Sequence, residues 1–507
     1  MEAIFGSLEQ KRMKQLGKAS VKIASKLELK TAAKKILSTT ANCFGVTVER
    51  VENEFRVSGR VVTRVVFIDE FDAFNSEERV DNFSEKITVK GFDVSGAVSA
   101  VAIVADVGCS DVVDITSTLD IDKVVEIRLT GLVASEVRFA SGITGDAEVR
   151  GEKIAVATFA DMIEDKITAD ERIELDKNCS GVLGVDFRAY IRDISCNDGR
   201  VTVKGSVSAN VVSVRTTEFS TMQSSSHDFD FSKTINVAGV TMEDTVVGSV
   251  AVHNVIVKAE NRGSPELVLE VDIAFSGAVV RTMQIEHAVD AFGFGHNLTL
   301  VGSEIENINC LPQTNAVVDI EGNVTVPANS VYISKVLATS ATQVSAVNIV
   351  ASDGKVTLEG MLGVSVVFEC EEKQVHAHMV RMPFATSVKM DGMTTEFSIQ
   401  AAVQVVSCYV KARRGKELLV DAKLGISVAG TSTSMMPVTG NILVGEAKVR
   451  DESAIMIYIV NANETLWDVA KRINVGTAEI IRQNPFCADG VQTGDKLFIY
   501  RQQVVSF

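Results

Sequence analysis

The chain has 507 residues, and its acids outnumber its bases by 66 to 50, with a pI near 5.0. That balance argues against a nucleic-acid binder, which needs basic patches to neutralise phosphates. With 46% hydrophobic and 23% charged residues and only 6 prolines, the composition also excludes long disorder and a linker-rich chain.

Residues 1–38 differ from the rest of the chain. They hold nine Lys/Arg and three Glu, and their Ala, Lys, Leu and Glu content predicts one or two helices. No uninterrupted apolar core marks a secretory signal there. A helix presenting Ile4, Phe5, Leu8, Leu16 and Ile23 could lie on an anionic membrane. Packing of a solvated helix on the next module is the preferred reading.

From about residue 45 the text changes to alternating Val, Ile and Thr broken by Gly and Asp/Asn, the pattern of antiparallel strands. The pattern recurs at long period. FRVSGRVVTRVVFID, VTVKGSVSANVVSVR and VTLEGMLGVSVVFEC carry Gly59, Gly205 and Gly360, spaced by 146 and 155 residues. A second glycine follows each, Gly91, Gly239 and Gly392, at 32, 34 and 32 residues. A closing strand ends each unit: KVVEIRLTGLV, PELVLEVDIAFSG and KELLVDAKLGISV. The spacing predicts three copies of one all-β module, over 39–170, 171–310 and 311–450, each an antiparallel β-sandwich. The strand glycines are expected to mark bulges or close backbone approaches.

Chemistry is sparse along this stretch. No G-x-S-x-G, P-loop or H-E-x-x-H occurs. His376 and His378 would share one strand face, but no third ligand is spaced for a metal, and a solvated face is the simpler reading. The eight cysteines are scattered without C-x-x-C, as expected for reduced thiols. No 18-residue apolar run predicts a membrane span. No catalytic residue, cofactor site or metal site is predicted, and the chain is not read as an enzyme.

Residues 456–507 break the β pattern. Tyr458–Val460 reads as a short strand and Asn461–Asn463 as a turn. Thr465 is a candidate N-cap before Leu466, Val469, Ala470 and Ile473 at helical spacing. Thr477 is expected to cap a second helix that Asn484-Pro485 ends. Gly494 turns into a last strand, 496–500. The result is a β-α-α-β unit.

This unit resembles the LysM domain along its whole length, in Tyr458, Val460, Glu464, Thr465, Leu466, Trp467, Val469, Ala470, then Asn484-Pro485, then Gly494, Leu497 and Ile499. It departs from the family at the first turn, where Asn463-Glu464 replaces Gly-Asp, and at Tyr500 in place of the final Pro. Asn tolerates positive φ, so the turn should close. The resemblance implies a shallow groove that binds N-acetylglucosamine polymers or a partner, formed by Asn463, Glu464, Thr465, Leu466, Asn484, Pro485 and Phe486. Trp467 is expected to pack beneath the helix and not to serve as a sugar platform.

Three β modules before a C-terminal LysM-like unit resemble the SPOCS-domain proteins of spore-forming Firmicutes, on the Val-x-Gly strands and the paired glycine spacing. The resemblance implies a non-catalytic scaffold of spore-coat assembly, cytoplasmic in the mother cell at the forespore surface and not secreted. It would recruit a coat morphogenetic ATPase of the SpoIVA type through the LysM-like unit. The alternative is a protein that binds peptidoglycan or its N-acetylglucosamine-containing precursor.

Overall fold

The structure is a computed structural model. It describes all residues except 52–53, 90–93, 111, 262–264, 328–330, 449–454 and 501–507. Gly91, one of the paired glycines, lies outside the described residues, as does the join to the C-terminal unit.

Repeat 1 is one antiparallel sheet in the order β3-β2-β1-β5-β4, built from β1 (Ala3–Val51), β2 (Glu54–Asp69), β3 (Phe74–Thr88), β4 (Val94–Cys109) and β5 (Thr116–Ile143). Its long first strand serves two halves. Residues 3–28 pair with β5, and residues 35–51 pair with β2.

Repeat 2 keeps this plan but splits the first strand in two. β6 (Ala147–Glu174) joins β10 (Thr245–Asn261) and β11 (Pro265–Gly293) in one sheet. β7 (Cys179–Asn197) joins β8 (Arg200–Thr216) and β9 (Ser220–Asn236) in the other. In repeat 3, β12 (His296–Cys310), β13 (Thr314–Thr325) and β17 (Ser398–Ala412) all pair with the long β18 (Glu417–Ala447). β14 (Ile333–Ser352), β15 (Lys355–Cys370) and β16 (Val375–Lys389) form its meander.

In every repeat both strand groups feed one hydrophobic cluster. That cluster is centred on Val57, Val61 and Ile127 in repeat 1, on Val203, Val207 and Val271 in repeat 2, and on Leu358, Leu362 and Leu424 in repeat 3. Strict alternation supplies these residues, because successive side chains of a strand point to opposite faces.

The strand glycines behave as expected. Gly59, Gly205 and Gly360 lie opposite Phe83, Phe231 and Phe384 in register. An added Cβ would come within 2.8 Å of the Phe ring in each case, and within 3.3 Å of a carbonyl oxygen on the neighbouring strand. The neighbouring strand is bulged there, after Phe44, Ile191 and Ser345.

The repeats are not strung out in line. Leu37, Leu183 and Leu337 each occupy a register shift of their strand. They meet in a single cluster with Val66, Val212 and Val367, each seven residues past its strand glycine. Equivalent residues of all three copies therefore converge around a shared centre. At the other end, Leu8, Phe139, Val156, Ile285, Ile305 and Val438 form one buried layer, with one residue from the first and one from the last strand of each repeat.

Three expectations are corrected. The module bounds 39–170, 171–310 and 311–450 are displaced, because Ala147–Glu174 pairs with β11 of repeat 2 and His296–Cys310 with β18 of repeat 3. Residues 1–38 are not helical. They form most of β1, and Ala3↔Ile143 to Glu28↔Thr118 is one long antiparallel ladder with β5. Leu8 and Leu16 are buried in that sheet, so no apolar helical stripe exists to lie on a membrane. Intrinsic helix preference, a few tenths of a kcal/mol per residue, is outweighed by pairing with the apolar β5. His376 and His378 do not sit on a solvated face either. Both are partly covered, and each ring lies 5.9 Å from Phe368. Lys35 of repeat 1 donates to the Val375 carbonyl at 2.8 Å and lies 3.2 Å from His376 Nδ1. Burial, then the Lys35 charge, pushes both imidazoles below their ordinary pKa.

Candidate functional site in the C-terminal unit

The C-terminal unit runs β19 (Ile455–Ile459), α1 (Leu466–Ile473), α2 (Thr477–Gln483), a 3-10 turn (Pro485–Cys487) and β20 (Lys496–Tyr500). The order matches the β-α-α-β expectation. Val469, Ala470, Ile473, Ile480, Leu497 and Ile499 form its core. Asn463 takes φ +64, the left-handed turn that Asn tolerates. Thr465 caps α1 as expected: Asp468 N donates to its Oγ1 at 3.2 Å, and Thr465 N donates to Asp468 Oδ2 at 2.9 Å. This is the reciprocal capping box.

Thr477 is not a cap. Gly476 holds that position without a side-chain bond. The Glu148 carboxylate of β6 accepts from Thr477 N at 2.9 Å and from its hydroxyl at 2.7 Å. A carboxylate from repeat 2 thus occupies the helix N-terminus, where negative charge is favoured.

A second anchor is Asp290 on β11. It accepts from Trp467 Nε1 at 2.8 Å and from Lys471 Nζ at 2.6 Å. Burial raises the pKa of Asp290, but these bonds outweigh it and hold the carboxyl below its usual range. The Trp467 ring meets Phe292 edge-on at 5.2 Å, and the Arg150 guanidinium lies 5.6 Å from its centre. Trp467 is therefore a docking residue against repeat 2.

The seven expected groove residues divide. Glu464 accepts from Asn461 N at 2.8 Å and Tyr458 OH at 2.9 Å, and pairs with Arg472. The Asn461 backbone bond leads in holding its pKa below the carboxylate norm. Thr465 is spent on the cap. Leu466 is half-buried against the core. Asn484 is buried: its amide donates to the carbonyls of Ile480 at 3.1 Å and Phe498 at 2.9 Å, and its oxygen accepts Phe498 N at 2.8 Å. It clips α2 to β20 and does not flank an open groove. Asn463, Pro485 and Phe486 are exposed, Phe486 at 60%.

A larger feature escaped the sequence reading. Ile455 pairs with Tyr500 and Ile457 with Phe498. Ile455, Ile457, Ile459, Phe498 and Tyr500 are all exposed, and they form the outer face of the two-stranded sheet. The signal was present in IMIYI and KLFIY, which have apolar residues at nearly every position where a half-buried strand should alternate. The outer edge of β20 is already occupied. Asn484 takes both backbone groups of Phe498, and Gln483 takes both of Tyr500, at 2.7 and 2.9 Å.

Residues 180–260 and 332–413 match the family model described as SipL, SPOCS domain. The matched segments run from β7 through β10 and from β14 through β17, the same four-strand piece of repeats 2 and 3. They cover about a third of the chain, and those two pieces are similar to SPOCS domains. No curated protein and no solved structure matches the chain. Among the described residues, no cluster of three His, Cys, Asp or Glu is placed to hold a metal, and no helix is long and apolar enough to cross a membrane.

Proposed function

We propose that this chain is a non-catalytic scaffold of the SipL type in spore-envelope assembly, cytoplasmic in the mother cell at the forespore surface. Its three repeats are β-sandwich SPOCS-like modules, and its C-terminal unit is a LysM-like domain that recruits a coat protein of the SpoIVA type. The SPOCS matches in two of three like-built repeats carry the sporulation reading. The outer face of the β19–β20 sheet supports a protein partner, because exposed apolar residues gathered on one rigid sheet are the usual mark of an interface. The expected groove favours a glycan less, since Glu464, Thr465 and Asn484 are committed to internal bonds.

The test compares two double variants in a recruitment assay with the SpoIVA-type partner. Ile457→Asp/Phe498→Asp should abolish recruitment while the far-UV circular dichroism and melting of the chain stay unchanged. Leu466→Asp/Phe486→Asp should also weaken recruitment, but with loss of C-terminal folding through Leu466. Tight binding of chitin oligomers, with recruitment intact in the first variant, would replace this reading by the glycan one.

A further inference from the structure

The junctions between successive repeats are built alike but finished differently. Where the meander of repeat 2 meets repeat 3 lies a small cleft of about 20 Å³ beside Ser208 and Asn210, two and four residues past Ser206 on β8. Ser208 donates to the Val406 carbonyl at the β17 bulge. The Tyr190 ring lies so close to Gly425 that a Cβ there would sit 3.2 Å from it.

Where the meander of repeat 1 meets repeat 2, a cleft of about 420 Å³ remains open. It is lined by Arg60, Asn82, Lys166, His253, Asn254 and Asp272, with the backbone of Gly45 and Gly59. The bulges of β10 and β17 set the equivalence: Val252/Asn254 in one and Val405/Ser407 in the other. His253 and Asn254 therefore stand where repeat 3 has Val406 and Ser407. One residue past the strand glycines, Arg60 stands where repeats 2 and 3 have Ser206 and Met361. Three polar side chains thus line this cleft, where the sister junction has Ser206, Val406 and Ser407.

Their charges do not cancel. Asp272 is paired with Lys166 Nζ at 2.7 Å and accepts a hydrogen bond from Thr168 Oγ1 at 3.0 Å. Arg60 has the neutral Asn254 side-chain oxygen as its partner among the described residues. Its Nε is buried from solvent and has no acceptor among the described residues. A buried unpaired N–H of a charged group is costly, and a guanidinium fork matches phosphate oxygens two at a time. Burial first, and then the Lys166 charge, pushes the His253 imidazole below its ordinary pKa, and an imidazole in either charge state has an N–H to donate.

We propose that this cleft is a binding site for a small phosphate monoester, with Arg60 as the anion-recognising residue and His253, Asn82 and Asn254 as hydrogen-bonding groups. The volume lies in the range of small-molecule sites and is too large for a bare ion. The site is distinct from the C-terminal recruiting surface and does not depend on it.

The experiment is calorimetric titration of the full chain at low ionic strength with inorganic phosphate and glycerol 3-phosphate. A parallel arm measures flotation with vesicles carrying phosphatidic acid, which separates a free from a lipid-borne phosphate. Saturable binding should be weakened at least ten-fold by Arg60→Gln, and less by Arg60→Lys, which keeps the charge. His253→Ala, at a bulge that tolerates Val and Ala in the sister repeats, should also weaken it without changing the melting temperature. The proposal is overturned if neither soluble phosphate nor vesicles bind, or if binding is the same in Arg60→Gln and His253→Ala as in the wild type.

Discussion

Gly205 leaves the least room of the three strand glycines. A Cβ there would come 2.3 Å from the Tyr190 carbonyl oxygen and 2.4 Å from the Phe231 ring. Backbone cannot yield as a flexible side chain can, so Gly205→Ala should cost about 1–3 kcal/mol, the usual scale of overpacking. Gly181→Ala, with nothing within 4 Å, should be close to neutral. Thermal melting of the two variants side by side checks this.

Lys123 tests a different force. Its ammonium is fully buried and bonds Ser25 Oγ at 2.9 Å and the Asp81 carboxylate. Removing one partner of a buried pair strands the other, so Lys123→Ala should destabilise by about 3–5 kcal/mol, while Lys123→Met with Asp81→Leu should recover much of that. Burial alone would raise the Asp81 pKa, but bonds from Lys123, Arg79 and Ser25 hold it lower than normal. Its stabilisation is therefore full above the ordinary aspartate pKa and lost as pH falls through the depressed folded value. Acid titration of the wild type should show this loss, and Asp81→Leu/Lys123→Met should lack it.

At the scale of the element, the strand repeats were legible because alternation, turn residues and glycine spacing all agreed over residues 45–450. The N-terminal strand was not. Alternation is present there, with Lys18, Ser20, Lys22, Ala24, Lys26, Glu28 and Lys30 outward and Leu27 and Leu29 buried. A register shift at Leu16 breaks its phase, and Lys, Ala and Leu are also good helix formers. What decided the outcome was a partner strand about 100 residues away, which no local window contains. The site was legible within similar limits. The Thr465 cap and the Asn463 turn followed from short-range chemistry, whereas Asn484 looked like a groove residue because its motif says nothing of the amide bonds to Phe498.

Those bonds give an element-scale prediction. Asn484→Ala leaves both backbone groups of Phe498 without their buried partner, a loss of about 2–4 kcal/mol at 1–3 kcal/mol per stranded group with some compensation by water. The C-terminal unit should then melt before the repeats, as a separate early transition in calorimetry. Gln483→Ala at the more exposed Tyr500 should shift it less, because water can replace the lost amide there.

At the scale of the whole molecule, the three repeats share a centre and the C-terminal unit is fixed to one of them. Asp290 and Glu148 stand on β11 and β6 of repeat 2, where they hold α1 and α2. Lys448 adds a third tie, donating to the Gly293 carbonyl at 2.8 Å and to Asn474 Oδ1 at 2.9 Å. The polar ties are not part of the unit's core, where Val469, Ala470, Ile480, Leu497 and Ile499 pack together with Phe292 of repeat 2. The ties set where the β19–β20 face points. Asp290→Ala with Glu148→Ala should therefore leave the C-terminal unit folded but undocked. Limited proteolysis should then cut between the repeats and the unit far faster than in the wild type, and Trp467 fluorescence should shift to the red as its ring loses Phe292 and Arg150. If the recruiting reading is right, partner binding by this variant should persist with similar affinity, because the outer sheet face is untouched. Assembly of an ordered coat should fail, because the scaffold would no longer present its partner at a fixed angle. Unchanged proteolysis and fluorescence in the double variant would show that docking rests on the apolar contacts of Phe292 and Phe294 alone.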